Sequence, residues 1–371
     1  MNSRKNLITT FVLLTLGMVT AFGASAPVVE LQMNHVFALY DGGDSITTTY
    51  GMGGNSLISI KSPNEGNVRG DVAASVLYNG GMYTLSLDRA YLRARFPQFR
   101  LTAGKTRVSW GDGSLFNAAD LLFGNTDVGI ILTGDELRTS TEWLTSVQVP
   151  LGPFSFIEAV IIPPVSGSIE ETQIGGRVYT TVGLLKIEAG GAYHADTSLL
   201  HASGKVLSPY IALQGNIGPD WYAATSVNIA YPVEQISDEL EDSWVLSAGL
   251  LHILSVGWQG TLSLRLEALV RPFGKWAPSA SASATGAYGL YLYPELSYAP
   301  NDSMNFLLRS IISPIDVSTT IIVGGTWNVM QGFSLNGFLN SYFGEEQDTF
   351  SWVTTSPAPS TALSIGASWV Y

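Results

Sequence analysis

The sequence predicts an all-β fold: a single closed, antiparallel, up-and-down transmembrane β-barrel of about 18 strands, with 16 as the alternative. Three observations carry this. Apolar and polar residues alternate with a period of two in many segments. In Thr261 to Val270, Leu262, Leu264, Leu266, Ala268 and Val270 fall on one face, and Thr261, Ser263, Arg265 and Glu267 on the other. Charged residues make up only 13% of the chain, below the roughly 25% of an ordinary soluble domain. Beyond the N-terminal stretch Leu7 to Phe22, no apolar run long enough for a membrane helix occurs. A chain that lives in lipid without helices must then satisfy its backbone in a closed sheet.

The N-terminus carries Arg4 and Lys5, the uncharged stretch Leu7 to Phe22, and small residues around Ala21-Phe-Gly23. This is the pattern of a cleaved export signal over residues 1–23, leaving 24–371 as one barrel domain. Without the signal, 16 basic residues face 30 acidic ones, a balance that argues against nucleic acid as a partner. No Cys occurs, so neither disulfides nor a lipid-modified cysteine enter the reading.

The connections between alternating segments follow a rule when read back from the C-terminus. Long ones, such as Gly344 to Ser360, Pro272 to Thr285, Pro232 to Asp242 and Gly111 to Thr139, alternate with short ones at Met330-Gln331, Ser255-Val256, Gly218 to Asp220 and Pro97-Gln98. Short periplasmic turns and longer outer loops are what an outer-membrane barrel shows. The rule weakens at Lys61 to Arg69 and Asn79-Gly-Gly81, which leaves 16 strands open beside 18.

Six of the 16 basic residues beyond the signal lie between positions 89 and 107: Arg89, Arg93, Arg95, Arg100, Lys105 and Arg107. A hairpin turning at Pro97-Gln98 sets Arg95 opposite Arg100, Arg93 opposite Thr102, Tyr91 opposite Gly104 and Asp88 opposite Arg107. In its lower half Arg89, Tyr91, Arg93, Arg95, Arg100 and Thr102 share one face. In its upper half the polar set is Thr84, Ser86, Asp88, Lys105, Arg107 and Ser109, in the opposite phase. We read this as a bulge near residues 89 and 104, with Gly104 as the flexible point. All six bases then line the lumen, and Asp88 pairs with Arg107. A regular hairpin would instead carry Lys105 and Arg107 on the outer face, costing roughly 2 kcal/mol each near mid-bilayer unless they rise above the membrane.

The following segment, Gly111 to Thr139, carries Asp112, Asp120, Asp127, Asp135 and Glu136. Asn117 and Asp120 have the spacing of a helix N-cap and its third residue. The run Gly104-Lys-Thr-Arg-Val-Ser-Trp-Gly111, with Phe116-Asn117 and Asp120-Leu121 downstream, resembles a segment of porin-like outer-membrane barrels. That resemblance implies a third outer loop folding into the lumen and narrowing it. It departs from the pattern at Ala118, where such families often have Pro. The C-terminus, Ser364-Ile-Gly-Ala-Ser-Trp-Val-Tyr371, resembles the signal read by the outer-membrane assembly machinery, with Gly366, Trp369 and Tyr371 at its marked positions.

The expected function is passive diffusion of small hydrophilic or charged solutes, with the basic wall as one side of a constriction and the loop acids Asp112 and Asp120 as the other. The expected partners are outer-membrane lipid, the assembly machinery and small solutes. Self-association stays open, since the outer face suits monomers and trimers alike. A plugged adhesive barrel, and a channel taking apolar compounds through a side opening near Gly175-Gly176 and Gly190-Gly191, are the alternatives. Catalysis is not expected: His35, His194, His201 and His252 are scattered, and no nucleophile–base spacing, metal-ligand pattern or cofactor motif accompanies them.

Overall fold

Alternation becomes wall wherever one face meets lipid and the other a filled or watery lumen. The computed structural model describes residues 28–41, 46–62, 66–79, 81–124, 126, 128, 137, 140–164, 169–195, 205–230, 240–241, 243–278, 288–345, 348–350 and 361–370. The export signal, Tyr371 and the loop acids Asp127, Asp135 and Glu136 lie outside these residues.

The strands run in chain order: β1 Val28–Asp41, β2 Ile46–Lys61, β3 Val68–Asn79, β4 Met82–Arg95, β5 Arg100–Thr106, β6 Glu142–Gly152, β7 Ser155–Ile162, β8 Gln173–Val182 and β9 Leu185–Ala195. They continue as β10 Lys205–Asn216, β11 Asp220–Ser226 with its extension Ile229–Ala230, β12 Val245–Val256, β13 Gly260–Val270 and β14 Leu290–Asn301. The last four are β15 Met304–Ser313, β16 Ser318–Met330, β17 Phe333–Phe343 and β18 Thr361–Val370. The extension of β11 stays in line because Ile229 and Ala230 pair with Leu207 and Val206 of the same neighbour. The sheet is therefore a closed antiparallel barrel of 18 strands. Its seam registers β1 with β18 from Glu30 opposite Val370 to Leu39 opposite Thr361.

The outer face is the apolar one. Leu264 and Leu266 of β13, Leu335 and Leu339 of β17, and Leu363, Ile365 and Trp369 of β18 are all well exposed on it, while Glu267 and Arg309 on the opposite face are buried. Such a belt on a closed sheet is how a strand protein crosses an outer membrane. Aromatic rings mark its edges. Phe96 stacks on Phe99 at a short turn, and Tyr78 meets Tyr83 at the opposite rim. Gly366 faces inward and is buried, and Trp369 faces lipid.

The irregular turns near the N-terminus keep the count at 18, since both Lys61 to Arg69 and Asn79 to Gly81 join antiparallel neighbours. The bulge exists. The β3–β4 ladder slips between Ala73, opposite Arg89, and Ala74, opposite Leu87, so Asp88 is the extra residue. Gly104 has φ +127°, and a Cβ there would lie 2.2 Å from the Ala90 carbonyl oxygen, so no other residue fits.

Two expectations for this hairpin are corrected. The β4–β5 ladder ends at Ala90 opposite Lys105, so Asp88 and Arg107 do not pair. Asp88 accepts from Ser75 Oγ instead, at 3.1 Å. Lys105 lies opposite outward-facing Trp143 and so falls on the outer face. Its ammonium donates to the Leu87 carbonyl at 2.6 Å, an acceptor just before the bulge.

Candidate pore constriction

After Thr106 the chain leaves the wall and turns inward. Trp110, Phe116, Asn117, Ala118, Ala119 and Asp120 are all essentially buried, although they belong to a connection between strands. The lumen is what buries them. Trp110 packs against Tyr210 of β10, with ring centroids 5.5 Å apart, and its indole edge fills the space above Gly175 of β8. Leu115, Phe116 and Val128 join Leu269, Tyr291, Tyr293, Ile311 and Ile322 from β13 to β16, with Tyr288 and Phe350 from two outer loops.

Two carboxylate systems hold this loop. Around Arg177 of β8, the Nε donates to Glu158 of β7 at 2.7 Å and Nη1 to Glu188 of β9 at 3.0 Å. Glu158 also accepts from Ser146 Oγ and from Trp110 Nε1, at 2.7 and 3.3 Å. Glu188 accepts from Tyr210 Oη at 2.5 Å and from the Gly111 backbone N–H at 3.1 Å. The second system is Glu267 of β13, 1% exposed. It accepts the backbone N–H groups of Ser114, Leu115 and Phe116, each at 2.8 Å. Ala118 N–H reaches Ser247 of β12, and Tyr222 of β11 donates to the Phe116 carbonyl. A loop without regular structure needs such partners once water is excluded.

The short helix expected at Asn117 is not formed. Asn117 Oδ1 accepts from Ala119 N–H at 3.0 Å, and its amide donates back to the Trp110 carbonyl at 2.7 Å. This closes an Asx-type turn. Asp120, free of any capping role, forms an ion pair with Arg107 and is fully buried. The Arg107 guanidinium also donates to Ser140 and sits 4.7 Å from the Phe123 ring centroid.

The site residues read from the sequence therefore separate into groups. Arg107 and Asp120 meet and neutralise each other within the loop. Arg89 lies 3.7 Å from Asp71 of β3. Arg93, Arg95 and Arg100 face the lumen and are exposed, with Arg93 opposite Arg69 and Arg95 opposite Arg100. Among the described residues none of these three has an acidic partner; Arg93 lies over Tyr91. Asp112 is exposed on the loop. Lys105 stands outside the group.

Glu158, Arg177, Glu188, Glu267, Glu295 and Arg309 were not singled out from the sequence. Their signal was present: a charge in the inward phase of strands otherwise built for lipid. Glu295 accepts from Arg309 and Tyr293 at 2.7 and 2.5 Å, a third inward cluster of the same kind. The side opening considered at the paired glycines is absent. Gly175, Gly176 and Arg177 pair in register with Ala192, Gly191 and Gly190.

The described loop residues lean on β6 to β17. The remaining arc, β18 and β1 to β5, shows the lumen Gln32, Asn55, Ser364 and Ser368 and then the arginines. At the outer mouth, Asp316 in the β15–β16 turn clasps the last outer loop. It accepts from the Thr349 N–H and Oγ1 at 2.7 and 2.8 Å and from Ser318 Oγ at 2.9 Å. Burial pushes the Asp316 carboxyl up, but these hydrogen bonds outweigh it and hold it below the ordinary value. A depressed pKa stabilises the clasp above the unfolded value of about 3.9 and ceases to do so as pH falls through the folded one. Protease cleavage near Thr349 is therefore expected to rise below about pH 4. In Asp316→Asn it should be raised already at pH 7.

No protein-family model and no curated protein matches the chain. Solved structures do match in fold. OccAB4 of Acinetobacter baumannii is 10% identical, with a TM-score of 0.56 over 94% of this chain and 98% of its own. OpdQ of Pseudomonas aeruginosa is 9% identical, with a TM-score of 0.57 over 94% and 98%. OccAB3 of Acinetobacter baumannii is 10% identical, with a TM-score of 0.55 over 93% and 99%. At this identity the likeness is one of fold, and it extends over nearly the whole of each chain.

Proposed function

We propose that this protein is a passive outer-membrane channel for small hydrophilic or charged solutes, and that its constriction favours anions. The observation that carries the reading is the exposed inward row Arg93, Arg95 and Arg100, on the arc of wall that the described loop residues do not lean on. Fixed charge on a pore wall selects permeants by sign. The opposing acidic side is weaker than the sequence alone suggests, because Asp120 is spent on Arg107. The wall dominates the field and the overall acidity of the chain does not.

The test is the reversal potential of single channels in planar bilayers under a KCl gradient. The native protein should be anion-selective, and the triple variant Arg93→Gln, Arg95→Gln, Arg100→Gln should lose that preference. Native-like selectivity in the variant would refute the assignment. A folded, membrane-inserted protein that never opens would favour the plugged, adhesive barrel, for which the apolar cluster around Phe116, Tyr291 and Phe350 would be the plug.

A further inference from the structure

The outer wall carries a second site, unconnected to the lumen. In β14, Pro294 has no N–H to give, and the ladder with β15 breaks around it. Leu292 registers with Ile312, and pairing resumes only at Glu295 with Arg309. On the other side of β15 the ladder to β16 is unbroken, and there Thr319 donates to the Ile311 carbonyl at 2.9 Å and shares a hydrogen bond with Ser310 at 2.8 Å. Over this defect lies a groove of about 620 Å³, lined on the lipid side by Leu250, His252, Leu264, Leu266, Pro294 and Leu296. One end reaches Pro219 in a short turn, and the groove continues past Leu308 to Ile312.

His252 is out of place there. It lies on the outer face of β12, registered with Leu264, and no described residue bonds its ring. An imidazole facing hydrocarbon without a partner is costly. It sits four residues before the strand's end at Val256, roughly 13 Å along the strand, which a barrel tilt of about 40° reduces to roughly 10 Å in height. That depth is where the glycerol and ester groups of periplasmic-leaflet lipids lie. Acyl chains alone would fill the groove and leave the ring unsatisfied. A whole phospholipid does both.

We propose that this groove is a binding site for one phospholipid of the periplasmic leaflet, its ester or phosphate oxygen accepting from His252 and one acyl chain lying along Leu264, Leu266 and Leu296. The site would fix a lipid against the interrupted β14–β15 ladder.

Native mass spectrometry of the full mature chain, extracted in mild detergent and titrated with dioleoylphosphatidylethanolamine, tests this. The native protein should retain one phospholipid through activation that strips the detergent. Leu266→Trp, which fills the groove, should abolish retention. His252→Phe, which keeps the ring but not the hydrogen bond, should weaken it about fivefold. Heat-modifiable mobility on gels verifies that each variant is a closed barrel. Equal retention in all three proteins, no retention in the native one, or a second copy of the chain bound where lipid was expected would overturn the proposal.

Discussion

Replacing Arg177 with methionine is expected to undock the inward loop and lower the stability of the barrel together. Among the described residues this guanidinium is the one base that pairs with two carboxylates at once, Glu158 and Glu188, with side-chain exposures of 13%, 8% and 9%. Removing it leaves two carboxylates, on the strands either side of β8, with no cation between them. Breaking a buried pair in this way costs about 3–5 kcal/mol. The loop is implicated because the same carboxylates hold Trp110 and Gly111. Tryptophan fluorescence should report Trp110 leaving its stack on Tyr210, and the thermal midpoint of the heat-modifiable band should fall. The variant Arg177→Met with Glu158→Gln and Glu188→Gln should recover much of the loss, because the stranded charges are gone. An unchanged midpoint in the single variant would mean that apolar packing alone docks the loop.

Replacing Glu267 with alanine is expected to act on the pore more than on the wall. Three consecutive backbone N–H groups point at one carboxylate, and nothing else described in the site can take them. Hydrogen bonds to a charged group contribute about 1.5–3 kcal/mol each. Even a total loss of about 3 kcal/mol would raise the undocked fraction of the loop roughly a hundredfold. Single channels of Glu267→Ala should therefore show larger and noisier conductance, while Glu267→Gln, which keeps the acceptor oxygen and loses the charge, should fall between. Native-like steady steps in the alanine variant would show that the loop is held elsewhere.

The wall was legible because each of its rules is local. A two-residue period, a turn and a connection length can be read without knowing what lies opposite. The bulge was half legible: β4 does change phase, but β5 does not, although Gly104 stood where the backbone needs a positive φ. Lys105 was misplaced because β5 keeps its two-residue period through Gly104, which puts Lys105 on the outer face with Leu101 and Ala103. The loop anchors were not legible. Glu267 reads in the sequence as one more polar residue in an alternating strand. Its role depends on a segment more than 150 positions away, and Arg177 likewise matters only because β7 and β9 flank it with acids.

The antiparallel seam between β1 and β18 carries a constraint on how such a chain can grow or shrink. The first and last strands meet only because they point in opposite directions. Delete any one strand and they would point the same way, so the closure could form only as a parallel pair with a different hydrogen-bond pattern. The barrel's circumference is thus quantised in hairpins. A variant that keeps this all-antiparallel closure must lose or gain strands in pairs. The 16-strand alternative open in the sequence differs from the observed wall by one such unit, never by a single strand.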